Sequence, residues 1–300
     1  MKTFRIAVFT KNRSNPAYAG ARLGADRVAA GLGASTRHYV PEKPDDVAQQ
    51  VALIDQAIAD RPDAMVFVPV HESAVNDSVR KIQAAGIPIV SLISPVTVGE
   101  RVTWVCSDDR ELAVAITRHV AGKLGGKGRV VILEGIPASS TSLPRLQGIR
   151  SALTEHPGLA VVASVRGDYQ RDLACAAVAG LLAKGLQFDA VIAANDSMAL
   201  GALDALGDRA PLPLVAGVNA VPEAIAEIKS GRMLATVDFD AMKMACIATE
   251  AAVRHLRGER VPARIVLPVQ VVDRSNCAAW DKPYEARRLP SWGVVMAAQR

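Results

Sequence analysis

A chain of 300 residues, half of them hydrophobic and 22% charged, carries enough apolar material for two ordinary domains and is not a disordered polymer. The formal net charge of +5 is mild and the 35 Lys and Arg residues are dispersed, which excludes the basic stripe of a nucleic-acid binder. No stretch reaches the unbroken apolar length of a transmembrane helix, and Cys106, Cys175, Cys246 and Cys277 share no metal-ligand spacing and read as buried thiols.

Met1-Lys-Thr-Phe-Arg-Ile-Ala-Val-Phe9 enters a strand, Phe4–Thr10, almost at once, with no apolar signal core and no small-residue cleavage site. The expectation is either a cytoplasmic protein or a mature sequence given a new start methionine. A polar cluster, Lys11 to Tyr18, leads into a helix from Pro16 to Leu32, with Pro16 in the first turn. Strands at Arg37–Val40, Ala64–Val70, Ile87–Leu92 and Thr103–Cys106 then alternate with helices at Pro44–Asp60 and Ser73–Ala85. Strands separated by helices of this length imply right-handed βαβ units and a parallel sheet. After Ser107-Asp-Asp109, read as a crossover, Arg110–Leu124 is a helix stopped by Gly125-Gly126.

The second half repeats the scheme, with strands near 129–133, 160–165, 190–194 and 213–217 and helices near 143–155, 171–184, 197–206 and 221–230. Two phrase pairs support a duplication. Asp63-Ala-Met-Val and Asp189-Ala-Val-Ile lie 126 residues apart, and Gly24 and Gly148, each behind an apolar strand, lie 124 apart. Beyond Ala235-Thr-Val237 a helix at 241–257 and a strand at 265–272 remain, and they need a sheet to join. Asp238-Phe-Asp240 is therefore read as a return to the first lobe, with a last crossing near Pro268-Val269. This gives an α/β fold of two Rossmann-like, doubly wound parallel-sheet lobes joined by three crossovers. The lobes comprise 1–106 with 240–266 and 107–238 with 268–300, hinged near 106–109, 237–240 and 266–270. The tail from Cys277 has no clear period.

No catalytic set emerges: there is no Gly-x-Ser-x-Gly elbow, Walker loop, Gly-x-Gly-x-x-Gly or His-Glu-x-x-His. Neither a cofactor nor a metal is expected. Gly122 to Gly128 precedes a strand and reads as a helix stop, and His71 reads as a turn residue. Neutral hydrogen-bonding groups and aromatic rings do recur at the carboxyl ends of strands, the edge where ligands bind in open α/β sheets. They are Asn15, Tyr18, Ser94, Tyr169, Asn195, Asn219, Asp238 and Phe239. Amides donate and accept at once, which suits vicinal hydroxyls, and aromatic faces stack on the C–H side of a sugar. Helix packing for Tyr18 and hinge core for Phe239 are the competing readings. In Ala194-Asn-Asp-Ser197, Asp196 is read as a helix cap and Asn195 as a ligand contact.

The chain resembles the type I periplasmic solute-binding proteins of the ribose-binding kind, which feed sugar ABC importers. The likeness covers residues 4–275. It rests on Asn15-Pro-Ala-Tyr18, Gly86-Ile-Pro-Ile-Val90, Val105-Cys-Ser-Asp-Asp109, Ala193-Ala-Asn-Asp-Ser-Met-Ala-Leu-Gly201, Pro222-Glu-Ala-Ile-Ala-Glu-Ile-Lys-Ser-Gly231 and Ala235-Thr-Val237. The resemblance implies a non-enzymatic, monomeric, periplasmic protein that closes two lobes on a monosaccharide, unusual sugar or polyol and docks on a membrane permease. By position it places Asn15, Tyr18, Tyr169, Asn195, Asn219 and Phe239 against the sugar. Four departures stand out: Ile93-Ser94 where Asp-Arg is usual, Leu143 for an Arg although Arg145 is retained, Asn219 for an Asp, and Phe239 for a Gln. A pocket without those charged anchors implies a solute other than ribose. The competing reading is the effector domain of a lactose-repressor-type regulator, which would be cytoplasmic, although a strand beginning near Phe4 leaves no room for a helix-turn-helix before it.

Overall fold

The computed structural model describes residues 3–299. Its contacts divide the chain into two compact units, each described by itself. Unit 1 holds the described residues up to Ser107, Asp240–Leu267 and the stretch from Tyr284 on; unit 2 holds Asp108–Phe239 and Pro268–Pro283.

In unit 1, strands β1 (Phe4–Phe9), β2 (Ala34–Tyr39), β3 (Ala64–Phe67), β4 (Ile89–Leu92) and β5 (Thr103–Ser107) alternate with helices α1 (Pro16–Gly31), α2 (Val47–Asp60) and α3 (Asn76–Ala84). Unit 2 opens with α4 (Asp109–Lys123). It continues through β6 (Lys127–Glu134), α5 (Ser142–Thr154), β7 (Gly158–Arg166), α6 (Arg171–Ala183), β8 (Ala190–Ala193), α7 (Asp196–Leu206), β9 (Leu214–Ala216), α8 (Pro222–Ser230) and β10 (Ala235–Val237). The chain then returns to unit 1 as α9 (Ala241–Leu256) and β11 (Arg264–Leu267), and adds β12 (Val271–Asp273) to unit 2. The two sheets run β11-β5-β4-β3-β1-β2 and β12-β10-β9-β8-β6-β7. All pairs are parallel except β10 with β12. The strand order is that of a doubly wound sheet, so the loops after the parallel strands gather at one edge of each unit.

The core follows from strands that are apolar on both faces, as a parallel sheet covered by helices requires. β3 and β8 are buried along their whole length. In unit 1, Phe9 stacks on Tyr39 at 4.9 Å and meets Phe67 edge-on at 5.2 Å. The duplication is visible in atomic packing. A methyl group on Gly24 of α1 would lie 2.7 Å from the Met242 carbonyl oxygen on α9, and one on Gly148 of α5 would lie 2.5 Å from the Arg110 carbonyl oxygen on α4. Met242 and Arg110 each follow by two residues an aspartate, Asp240 or Asp108, whose side chain caps its helix. Each unit therefore packs its first βα helix against the helix that follows a passage between units.

Three expectations are corrected. The strand read over 265–272 is two strands, because Pro268 lacks the N–H that a continuous ladder needs; β11 pairs with β5 and β12 with β10. The tail is divided rather than held by the second lobe, and the chain passes between units four times, not three. Residues from Tyr284 on join unit 1 because the Arg27 guanidinium donates to the Tyr284 and Arg287 carbonyls at 3.1 and 2.9 Å. The Gln299 amide also pairs with both backbone groups of Val266, at 2.9 and 2.7 Å. Finally, α3 starts at Asn76 instead of Ser73. His71 Nδ1 accepts the N–H groups of Ser73 and Ala74, both at 3.1 Å, and holds those residues in a turn, so His71 is the turn residue it was read to be.

Candidate functional site

The carboxyl edge of unit 2 gathers most of the residues that the sequence singled out. β6 ends at Glu134, followed by Gly135, and the loop to α5 brings Ser139 and Thr141. The loop after β7 carries Tyr169, β8 leads into Ala194-Asn195, β9 runs into Asn219, and β10 leads into Asp238-Phe239. The centre of this group is Arg145, in the first turns of α5 and only 3% exposed. Its Nε donates to Asp109 Oδ1 at 2.7 Å and its Nη1 to the Ala194 carbonyl at 2.5 Å. The guanidinium carbon lies 4.8 Å from the Phe239 ring centre and 5.8 Å from that of Tyr169. A buried cation is tolerated only with such compensation: a carboxylate, a carbonyl and the negative faces of two rings.

Tyr169 has a left-handed backbone (φ 62°), and its ring sits against Gly135, where a methyl group would lie 2.2 Å from the ring. Its hydroxyl shares a 2.8 Å hydrogen bond with Thr141 Oγ1, and burial pushes its pKa up against the lowering effect of Arg145. Phe239 is 5% exposed and is the second plate on Arg145. Asp238 is buried, and its N–H donates to the Gln270 carbonyl at 2.8 Å. Asn219 has φ 131° and donates its backbone N–H to Val237 at 2.9 Å. Among the described residues its side-chain amide makes no hydrogen bond.

The cap expected of Asp196 belongs to Asn195. Asn195 is the cap of α7: Oδ1 accepts from Met198 N–H at 2.9 Å, while Nδ2 donates to the Tyr169 carbonyl at 3.2 Å. Asp196 does not cap. It is fully buried, Oδ1 accepting from Thr236 Oγ1 at 2.7 Å and Oδ2 from Val221 N–H at 3.0 Å. Burial pushes its pKa up to about 7, although those hydrogen bonds and Arg145 pull it down. The β-region backbone of Asn195 lets its side chain cap the new helix, while the carboxylate of its neighbour meets Thr236 on β10 and the Val221 N–H.

In unit 1, Asn15 caps α1, accepting from Ala17 N–H at 3.0 Å, and Tyr18 is buried on the same helix. Ser94 follows Ile93, whose φ is 64°; its Oγ is buried and makes no hydrogen bond among the described residues. Three groups escaped the sequence reading. Lys11 and Asn12 are buried at the end of β1, and Asn12 Nδ2 donates to Asp45 Oδ2 at 2.9 Å. Burial raises the pKa of Asp45 against the opposing pull of Lys11 and Asn12. The signal for Lys11 was present: a charged residue directly after an apolar strand, at the ligand edge. Among the described residues there is no group of three or more His, Cys, Asp or Glu that could hold a metal ion, and no helix is long and apolar enough to cross a membrane.

Two doubly wound units, with polar and aromatic groups at the carboxyl edge, define the type I periplasmic binding protein architecture. Residues 6–260 match the family described as periplasmic binding protein domain, and the chain belongs to that family. It is 28% identical over 270 residues to the ribose import binding protein RbsB of Bacillus subtilis, which covers 90% of this chain and 87% of the relative. Two solved structures are similar. One is an ABC transporter periplasmic solute-binding protein from Actinobacillus succinogenes with bound D-allose, at TM-score 0.86 and 29% identity, covering 92% of this chain and 99% of that one. The other is a solute-binding protein from Bacillus halodurans with bound myo-inositol, at 0.85 and 26%, covering 93% and 97%. These similar proteins are a ribose import binding protein and two ABC transporter solute-binding proteins with a sugar or a polyol bound, so the family is one of solute binders.

Proposed function

We propose that this protein is the periplasmic solute-binding component of an ABC importer and captures a small polyhydroxylated solute, an unusual sugar or a polyol, for delivery to a membrane permease without chemical change. The observation that carries the reading is Arg145, held by Asp109 and the Ala194 carbonyl and plated by Tyr169 and Phe239. A guanidinium fixed beside two rings offers vicinal hydroxyls a planar donor and a ring's C–H face an apolar surface. The D-allose and myo-inositol bound in similar structures support the solute class.

In this reading Tyr169, Asn219 and Phe239 of unit 2 and Asn15, Tyr18 and Ser94 of unit 1 contact the solute. Asp238 shapes the edge, and Asn195 acts chiefly by fixing Tyr169. Ser94 and Phe239, where charged or amide groups are usual in the resembling proteins, shift preference away from ribose. The test is a thermal-shift screen of pentoses, hexoses, tetroses, branched sugars, inositols, linear polyols and their acids, followed by calorimetry. One of these solutes raises Tm and is recovered unchanged after incubation. A protein that none stabilises at millimolar concentration, or that converts its ligand, is not this component.

A further inference from the structure

β9 ends at Ala216, and the chain must turn within five residues before Pro222 starts α8. The turn uses two consecutive non-glycine residues with positive φ, Asn219 at 131° and Ala220 at 51°, conformations that L side chains disfavour. It persists because every amide N–H from Asn219 to Val221 is held. Asn219 donates to the Val237 carbonyl at 2.9 Å, Ala220 to Thr236 Oγ1 at 3.2 Å, and Val221 to Asp196 Oδ2 at 3.0 Å. Thr236 is itself oriented by donating to Asp196 Oδ1 at 2.7 Å, so two of the three holds run through one carboxyl group. The Asp196 N–H also donates to the Val218 carbonyl at 2.8 Å. Space for this carboxyl is made by Gly217, where a methyl group would lie 2.4 Å from Oδ1. Asp196 is not needed to cap α7, because Asn195 already accepts the Met198 N–H. A fully buried carboxyl group that does not cap its own helix, but holds both oxygens against the turn that leads into α8 and takes the N–H of that helix's first flanking residue, is there for that turn.

We propose that Asp196 is a positioning residue. Directly at Val221 and together with Thr236 at Ala220, it fixes the left-handed Asn219–Ala220 turn and so sets where the Asn219 amide meets the solute, a role that rests on the proposed function. Thr236 is the second member of the device, and its hydroxyl is the part that can be removed with least change in volume.

Amide hydrogen exchange on the full chain tests the holding itself and needs no ligand. Thr236→Val raises exchange at Ala220 on the order of tenfold, the loss of one buried hydrogen bond, and Thr236→Ser restores the wild-type rate. Asp196→Asn raises exchange at both Ala220 and Val221. In every variant Val191 and Ile192 on β8 stay within about twofold of wild type. A uniform rise across unit 2, or no change at Ala220, overturns the proposal. If Asp196→Asn fails to fold, the two Thr236 variants decide alone. The binding arm uses D-ribose, D-allose, myo-inositol and xylitol in calorimetry. For any that binds wild type, Thr236→Val weakens affinity roughly fivefold or more and Thr236→Ser does not; equal affinities in all three overturn the link to capture. If none of the four binds wild type, that result counts against the proposed solute class, while the exchange data still decide whether Asp196 and Thr236 hold the turn.

Discussion

Replacing Asn195 by alanine removes the acceptor for Met198 N–H and the donor to the Tyr169 carbonyl in one step. Loss of a helix cap costs about 1 kcal/mol, which in a protein of this size lowers Tm by about 2–4 °C. Calorimetry of the ligand-free Asn195→Ala protein shows that fall, and an unchanged Tm would remove the capping role. Asp196 acts on stability through pH, with the sign opposite to that of an ion-paired carboxylate. Its pKa in the folded protein is about 7, against 3.8 for a free side chain, so between those values the native state binds more protons than the unfolded one. Stability from this group therefore falls as pH rises from about 4 to about 7 and is flat above, a loss bounded at about 4 kcal/mol. Denaturation of wild type and Asp196→Asn at pH 5 and pH 8 reads it: wild type loses more stability across that interval than the variant. Arg145→Leu takes the guanidinium from the partly buried Asp109 carboxylate and costs about 3 kcal/mol. Arg145→Leu with Asp109→Leu recovers much of that loss in urea denaturation, whereas binding of any solute that the wild type captures stays impaired.

At the scale of elements, the apolar runs of β3, β6 and β8 and the Gly125-Gly126 stop after α4 were legible, because parallel strands and helix ends are specified by local sequence. So was the gathering of amides and rings at strand ends. What Asn195 and Asp196 each do was not legible. That depends on whether Thr236 and the Val221 N–H, 40 and 25 residues away, lie within reach of a carboxylate. Nor was the tail, whose placement rests on single matches such as the Tyr284 ring over Gly20 rather than on any period. The paired glycines supply an element-scale test of the duplication. In Gly24→Ala and Gly148→Ala the new methyl group meets a backbone carbonyl that cannot swing aside, so each loses about 1–3 kcal/mol by overpacking despite the better helix former. Gly180 in α6 faces open space, and Gly180→Ala gains up to about 1 kcal/mol. Chemical denaturation of the three variants separates close helix packing from helix propensity; equal effects at all three positions would dissolve the equivalence of Gly24 and Gly148.

Each unit of the whole molecule has its own sheet and core, but unit 1 depends on chain that reaches it last. Removing the stretch from Tyr284 on strips the Tyr284 ring from α1, two carbonyl acceptors from Arg27 and the Gln299 amide from the edge strand β11. Unit 2 keeps all of its elements. A chain ended at Pro283 should therefore show, in scanning calorimetry, one transition lowered by several degrees and one nearly unmoved, the first assigned to unit 1 by loss of hydrogen-exchange protection in α1 and β11. Ligand then discriminates further. A solute contacting groups of both units binds neither unit alone with full affinity, so at saturation it stabilises the two together by mass action. The two transitions of the shortened chain should converge as solute is added, whereas a solute held by Arg145, Tyr169 and Phe239 alone would raise only the transition of unit 2. A rise confined to unit 2 would overturn the assignment of Asn15, Tyr18 and Ser94 to the solute and leave the binding edge of unit 2 intact.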